Sequence, residues 1–143
     1  LAYPADVPAE ARVDSPAGAM AFARYFFAQV NKAYTTPQAG LIAPLSLAEC
    51  LSCASFARNA DSYVELRRRY SVEPIQVIET TIAAETPEPG SRLVDAVVQQ
   101  RAAKLIDATG AVVDSFSEKR GVFLVRLARR GDGWLVVKIQ VRQ

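Results

Sequence analysis

The stretch Gly121–Arg142 constrains the fold more than any other part of the chain, because two apolar-rich, β-branched runs are separated there by Gly131-Asp132-Gly133. Glycines permit the positive φ angles that a tight reversal needs, so the sequence predicts a β-hairpin. Along the second run, one alternating set is entirely apolar and consists of Leu135, Val137, Ile139 and Val141. The other set consists of Trp134, Val136, Lys138, Gln140 and Arg142. This alternation predicts a half-buried antiparallel strand whose apolar set covers a core.

Two helices are predicted upstream of the hairpin. Ser15-Pro16 marks the start of the first, since serine is a preferred N-cap and proline is tolerated at the first helical position. Apolar residues then recur at three- and four-residue spacing as far as Tyr34. The start of the second helix is predicted at Ser46-Leu47-Ala48-Glu49, which has the capping-box pattern. The sequence also allows this helix to break into two pieces near Asn59-Ala60-Asp61.

A series of strands is predicted after the helices. The strand candidates before the final hairpin are Ile75–Ala84, Arg92–Ile106 and Ala111–Val113. Helices followed by antiparallel strands are typical of an α+β fold, with N-terminal helices packed on a curved antiparallel sheet. Residues 1–14 contain two prolines and no apolar period, which predicts an extended lead-in or tether before a single domain over residues 15–143.

The composition limits the chemistry that this chain can perform. The net charge of +2, from 17 basic and 15 acidic residues, is too small to indicate a nucleic-acid partner. No apolar run approaches the roughly 18 residues that a membrane span needs. The chain has no histidine, which removes the commonest general base and the most frequent metal ligand. We therefore expect neither a metal nor a cofactor.

Cys50-Leu51-Ser52-Cys53 is the one motif whose spacing supports a chemical hypothesis. Cysteines three residues apart near a helix start lie within the distance of about 5–6 Å at which two Cα atoms can be bridged. A structural disulfide in an exported protein is the preferred interpretation. A thioredoxin-type redox pair would normally follow a strand, and a zinc site would need two further ligands that the chain lacks. Buried free thiols and redox activity remain the alternatives.

Tyrosines and carboxylates are the remaining candidates for catalysis. In an isomerase-like site a tyrosine polarises an oxygen while a carboxylate moves a proton. Tyr25, Tyr34, Glu79 and Asp95 are available for such roles. The simpler interpretation is that both tyrosines pack on the first helix and both acids are solvated, so no residue is assigned a catalytic role.

A candidate pocket follows from the face on which Gln100 lies. If the alternating residues Val94, Ala96, Val98 and Ala102 point inward, Gln100 shares their concave face. A polar side chain there needs a side-chain, water or ligand partner. Gln100 and Tyr25 are therefore the candidate pocket residues, with an ordinary satisfied core amide as the alternative for Gln100.

A candidate interface lies on the opposite face of the predicted sheet. Its apolar group is rimmed by basic side chains and consists of Val122, Leu124, Trp134 and Val136. An exposed apolar group rimmed by charge is typical of a protein interface, so a homodimer through this face is one hypothesis. A scattered apolar surface without a partner is the other.

Several segments resemble one known family in order and approximate spacing. Residues 8–12 and 15–26 resemble a "TPEGA-x-AF" helix start, and Asn31-Lys32-Ala33-Tyr34 resembles an "N-x-A-Y" helix end. Leu45-Ser46 with the C-x-x-C pair follows, and Gly131-Asp132-Gly133-Trp134 matches a "GDGW" hairpin. In these motifs the chain resembles a family of actinobacterial lipoproteins of unknown function.

This resemblance implies a lipid-anchored, extracytoplasmic domain with a nuclear transport factor 2-like, cystatin-like cone. Relatives of that cone include ketosteroid isomerases, polyketide cyclases and binding modules, so the fold alone does not choose a function. The favoured hypothesis is a non-catalytic domain that binds a small molecule or a protein. The alternatives are a small isomerase or hydrolyase with a tyrosine–carboxylate pocket, and a thiol-redox accessory protein.

Overall fold

The computed structural model describes residues 2–143, and within that range it contains two α-helices and seven β-strands. The helices are α1 Pro16–Thr35 and α2 Leu51–Leu66. The strands are β1 Arg69–Tyr70, β2 Ile75–Ile82, β3 Ser91–Gln100, β4 Ala103–Ile106, β5 Val112–Phe116, β6 Lys119–Arg130 and β7 Gly133–Val141. No helix in the described range has the length and apolar character needed to cross a membrane.

The strands form two antiparallel sheets. The larger has the order β2-β3-β6-β7, and the smaller has the order β1-β4-β5. Helix α1 packs on the concave face of the larger sheet through β2, β3 and β7, while α2 packs mainly on β7. The predicted α+β fold, with N-terminal helices packed on a curved antiparallel sheet, is confirmed.

Helix α1 begins and packs as its sequence predicts. The Ser15 hydroxyl accepts a hydrogen bond from the Gly18 amide at 3.0 Å, which caps the helix. Its apolar stripe is fully buried and includes Phe22, Phe26 and Val30. Burying such side chains stabilises the fold by roughly 1.5–3 kcal/mol each, so α1 is the centre of the core.

Helix α2 starts later than the capping-box pattern predicts. Ser46 instead forms an isolated parallel bridge with Val136, and the Leu47 amide donates to the Val136 carbonyl at 2.9 Å. This tertiary pairing holds the segment extended and overrides its local helix signal. The N-cap is Cys50, whose sulfur accepts a hydrogen bond from the Cys53 amide at 3.2 Å.

Helix α2 is also continuous through Asn59-Ala60-Asp61, where the sequence allows a break. Ala60 is buried at the centre of the suspected break. The Asn59 side chain donates to the Tyr34 hydroxyl at 3.1 Å instead of competing for its own backbone. Contacts with α1 therefore keep this segment helical.

The long strand predicted over Arg92–Ile106 is two strands in different sheets. β3 ends at Gln100, and β4 begins at Ala103. β3 pairs with β2 and β6, whereas β4 pairs with β1 and β5. The chain turns out of the larger sheet at Arg101, whose amide donates to the Pro74 carbonyl at 2.8 Å.

A β-bulge makes part of the face assignment in the last strand wrong. The pairing passes from Arg126–Lys138 to Leu127–Val136, so Val137 has no partner across the ladder. The extra residue reverses which alternating set faces inward. Before the bulge Trp134 and Val136 face the core, with only 1% and 0% of their surface exposed.

Of the lead-in predicted over residues 1–14, Leu1 lies outside the described residues, and residues 2–14 pack on the domain rather than extend away from it. Val7 and Ala11 are buried in the main core. The Tyr3 hydroxyl donates to the Trp134 carbonyl at 2.9 Å, and the Trp134 indole N–H donates to the Val13 carbonyl at 3.0 Å. Aromatic packing and backbone hydrogen bonds, which proline content does not reveal, attach this segment to the β6–β7 turn.

Candidate functional site

An apolar cleft opens at the end of the larger sheet that lies away from the β6–β7 turn. Its volume is about 290 Å³. Helix α2 supplies one wall, and strands β3, β6 and β7 supply the other. The lining residues are Ser52, Ser55, Phe56, Val98, Gln100, Lys119, Gly121, Phe123, Ile139 and Val141. We call this space the cleft.

Aromatic packing against α1 positions the walls of the cleft. Phe56 lies 6.4 Å from Phe26 between ring centroids, and Phe123 lies 5.9 Å from Phe27. Both are only half-buried, because their remaining surface faces the cleft. Core phenylalanines thus fix the two aromatic walls from behind.

The cleft owes its space partly to a missing side chain. Gly121 on β6 pairs with Val98 on β3, and paired residues share a face of the sheet. Val98 faces inward with 1% of its surface exposed, so a side chain at position 121 would also point inward. A Cβ placed on Gly121 would meet no atom within 4 Å. A larger residue there would occupy the cleft.

A second, smaller compartment adjoins the cleft and has a different chemistry. Its volume is about 210 Å³, and Phe56 and Gln100 line both spaces. The lining residues are Tyr34, Phe56, Asn59, Tyr70, Pro74, Ile75, Gln100, Arg101, Phe116 and Ser117. We call it the tyrosine chamber.

Stacked rings hold the tyrosine chamber together. Tyr70 stacks on Phe116 with centroids 5.2 Å apart and planes 4° from parallel. Tyr34 contacts Tyr70 at 5.0 Å and Tyr63 at 5.1 Å. Burial raises the pKa of Tyr34 to about 12, and burial followed by a hydrogen bond to Tyr63 raises the pKa of Tyr70. Both phenols are therefore neutral at pH 7.

The two predicted pocket residues lie in different places. Gln100 lines both compartments, but its side chain is exposed at their mouth and is not a core amide. Tyr25 lines neither compartment. Its pKa is raised by burial and then by the neighbouring Asp6 carboxylate, and this pair lies at the surface beside the N-terminal segment. Tyr25 and Gln100 therefore do not line the same compartment.

The predicted catalytic acids do not lie at the cleft. Asp95 accepts a hydrogen bond from Arg142 Nε at 2.6 Å, and Arg142 also holds Glu85 at 2.8 Å. The hydrogen bond from Arg142 to Glu85 lowers the pKa of Glu85 to about 2. Glu79 is exposed on β2. None of the four tyrosines and acids considered for catalysis forms a buried tyrosine–carboxylate pair in the described residues.

The candidate interface loses its two largest members. Trp134 and Val136 are buried by the bulge in β7, as described above. Val122 and Leu124 remain partly exposed on the outer face of β6. Across the ladder with β3, Leu124 pairs with Asp95 and Val122 pairs with Val97. The four predicted interface residues therefore do not lie together on one exposed face.

The predicted disulfide between Cys50 and Cys53 is present. The Cα atoms lie 5.2 Å apart, and each residue is 1% exposed. Burial of both sulfurs leaves no accessible thiol or disulfide for exchange with a partner, which is unlike a redox site. The bridge instead fixes the first turn of α2, from which Ser52 and Ser55 line the cleft. No cluster of metal-ligating side chains occurs in residues 2–143.

Removing the disulfide should lower stability by an amount that unfolding can measure. We expect the pair Cys50→Ala and Cys53→Ala to lower the free energy of unfolding by about 2 kcal/mol from loop closure, plus about 1 kcal/mol from the lost N-cap. Urea unfolding measures this change. The matched pair Cys50→Ser and Cys53→Ala restores an N-cap acceptor, so it should recover the smaller part. Equal losses in the two variants would show that the sulfur is not a significant cap.

A larger but more open depression lies at the C-terminal end of α2. Its volume is about 610 Å³, and Arg67–Arg69 and Asp107–Gly110 form most of its wall. The Asp107 carboxylate is already hydrogen-bonded within its own turn, where it accepts from Thr109 and Ala111. The depression has no apolar floor comparable with that of the cleft, so the cleft is the better candidate site.

The comparisons with known proteins identify a family and a fold. Residues 3–140 match the sequence model of a family described as "Family of unknown function (DUF6318)". No curated protein sequence matches the chain. The intermembrane space region of the chloroplast protein ARC6 is similar in structure, with a TM-score of 0.64 at 13% identity, over 90% of this chain and 97% of that one. At this identity the likeness shows the fold alone.

Two bacterial structures overlap less closely. One is a putative calcium/calmodulin-dependent protein kinase II association domain from Xanthomonas campestris, with a TM-score of 0.49 and 15% identity over 98% of this chain and 93% of that one. The other is an uncharacterised protein with a cystatin-like fold from Caulobacter vibrioides, with a TM-score of 0.48 and 11% identity over 85% and 87%. Neither overlap is close enough to support a conclusion about this chain.

Proposed function

The chain belongs to the DUF6318 family of unknown function, and we propose that it is a non-catalytic domain that binds a small, largely apolar ligand in the cleft. The observation that carries this proposal is the half-buried aromatic and aliphatic lining, left open by Gly121. Ligand sites in proteins are typically concave and mostly apolar, with a few polar groups at defined positions. Ser52, Gln100 and Lys119 are such groups here.

The lining of the cleft supports binding over catalysis. It contains no aspartate or glutamate. An acid–base mechanism with a tyrosine needs a carboxylate within hydrogen-bond reach of the reacting atoms. Of the two acids considered for catalysis, Asp95 is instead bound to Arg142, and Glu79 is exposed on β2.

The disulfide supports an extracytoplasmic location. Structural disulfides persist in oxidising compartments and are rare in the cytosol. The resemblance to actinobacterial lipoproteins further supports a form attached to the cell envelope by a lipid. In such a form the anchor would precede the N-terminal segment, which is hydrogen-bonded to Trp134 beside the β6–β7 turn. The cleft would then open at the opposite end of β6, away from the attachment.

The neutral fluorescent dye N-phenyl-1-naphthylamine tests the proposed function. We expect the native chain to bind the dye with enhanced fluorescence, because the cleft offers an apolar environment. The substitution Gly121→Leu should weaken dye binding at least tenfold, since the new side chain would occupy the cleft, and its Cβ would meet no atom within 4 Å. Urea unfolding should show that this variant is at least as stable as the native chain.

The matched control is Val122→Leu, which changes the next residue on the outer face of the same strand. It should bind the dye as the native chain does. Unchanged dye binding by Gly121→Leu would contradict the proposal. So would a native chain that does not enhance the fluorescence of the dye.

A further inference from the structure

The tyrosine chamber presents hydrogen-bond donors beside the apolar cleft. The Tyr34 hydroxyl accepts a hydrogen bond from the Asn59 side chain at 3.1 Å, which leaves its own proton for another acceptor. Burial raises the pKa of Tyr34 to about 12, so its phenol keeps its proton at neutral pH, whereas the Tyr70 hydroxyl is hydrogen-bonded to Tyr63. Arg101 and Ser117 add further donors to the wall.

Positive charge lies at the mouth of both compartments without opposing acids in either lining. Lys119 lines the cleft, and Arg101 lines the tyrosine chamber. Gln100 directly precedes Arg101 in the chain and pairs with Lys119 across the β3–β6 ladder. The linings together contain no aspartate or glutamate. This arrangement is complementary to a negatively charged group.

Building on the proposed function, we propose that the ligand is a small amphipathic anion. Its apolar body occupies the cleft between Phe56 and Phe123, and its anionic head lies at the tyrosine chamber between Arg101 and Lys119. A carboxylate or phosphate accepts a hydrogen bond from the neutral Tyr34 phenol and pairs with both cations. The exposed Gln100 side chain, which lines both spaces, can turn to hydrogen-bond the head.

The size of the cleft favours a small molecule over a protein segment. Its 290 Å³ lies near the lower limit of the range of about 300–1,000 Å³ found for ligand pockets. At roughly 30 Å³ for each water-sized group, it holds a chain of about ten heavy atoms. A ten-carbon amphiphile is therefore a suitable probe.

Displacement of bound N-phenyl-1-naphthylamine distinguishes the charge of the ligand. We expect decanoate, below its micelle concentration, to displace the dye from the native chain at a concentration at least tenfold lower than decan-1-ol. Combining Arg101→Gln with Lys119→Gln should remove this preference and leave displacement by decan-1-ol unchanged. The Arg101 side chain can be changed because only its backbone amide holds the turn to Pro74.

The matched control removes two positive charges from exposed positions outside the cleft lining, by combining Arg120→Gln with Lys138→Gln. It should keep the preference for decanoate. Equal displacement by decanoate and decan-1-ol would overturn this inference, as would a preference that survives in the Arg101 and Lys119 variant. Displacement by a capped apolar hexapeptide at lower concentration than decanoate would overturn it in favour of a protein segment. A native chain that does not bind the dye would instead contradict the proposed function, and this inference with it.

Discussion

Replacing Trp134 with alanine is expected to lower the free energy of unfolding by about 3–5 kcal/mol, the loss typical of removing a large buried aromatic side chain. Trp134 is 1% exposed, and its indole N–H donates to the Val13 carbonyl at 3.0 Å. The Arg129 guanidinium lies 4.7 Å from its ring. The substitution would therefore open a cavity and detach the N-terminal segment from the hairpin. Urea unfolding followed by circular dichroism measures the loss.

A second substitution separates the contribution of ring packing to stability from that of the indole hydrogen bond. Trp134→Phe keeps most of the buried ring but leaves the Val13 carbonyl without its partner, so it should cost only about 1–3 kcal/mol. If Trp134 lay on an exposed interface, as its place in the strand pattern predicts, both substitutions would change stability by no more than about 0.5 kcal/mol. Such small changes would contradict the buried position.

Features governed by local sequence were predicted well. Ser15 caps α1, and the apolar stripe of α1 is the core, because both depend on residues within a few turns of one another. The β6–β7 hairpin forms at Gly131-Asp132-Gly133, where Gly131 has a φ of 60°. These signals act through short-range sterics and hydrogen bonds that no distant contact opposes.

Features governed by distant pairing could not be read from the sequence. Ser46 has a capping-box signal, but the pairing of its segment with Val136 keeps it extended. The bulge at Val137 reverses which alternating residues of β7 face inward, and an alternating apolar run does not predict such a bulge. The same bulge places Trp134 in the core and leaves Ile139 to line the cleft.

The candidate site was predicted only in part. Gln100 was identified from its strand face, and that face does lead into the cleft. The sequence does not point to Gly121, because the space left by this glycine becomes evident only once its cross-strand partner Val98 is known to face inward. Tyr70 and Phe116 come together from separate strands of the smaller sheet, so no motif connects them.

Replacing Asn31 with leucine is expected to destabilise the fold by about 2–4 kcal/mol, since two buried backbone groups would lose their partner. Asn31 is 7% exposed on α1. Its amide donates to the Ile75 carbonyl at 2.7 Å, and its carbonyl oxygen accepts from the Ile75 amide at 2.9 Å. This pair of hydrogen bonds joins α1 to the first residue of β2. Urea unfolding at neutral pH measures the effect.

The substitution Asn31→Asp should make this loss depend on pH, which leucine cannot do. An ionised carboxylate would still accept from the Ile75 amide but would face the Ile75 carbonyl, and burial would raise its folded-state pKa above the unfolded value of about 3.9. A protonated carboxyl restores both hydrogen bonds, so its contribution is fully present below the unfolded pKa and is lost as pH rises through the folded pKa. The stability of this variant relative to the native chain should therefore improve from pH 7 to pH 4, whereas Asn31→Leu should show no such trend. Parallel trends in the two variants would mean that the side chain at position 31 does not contact the Ile75 backbone as described.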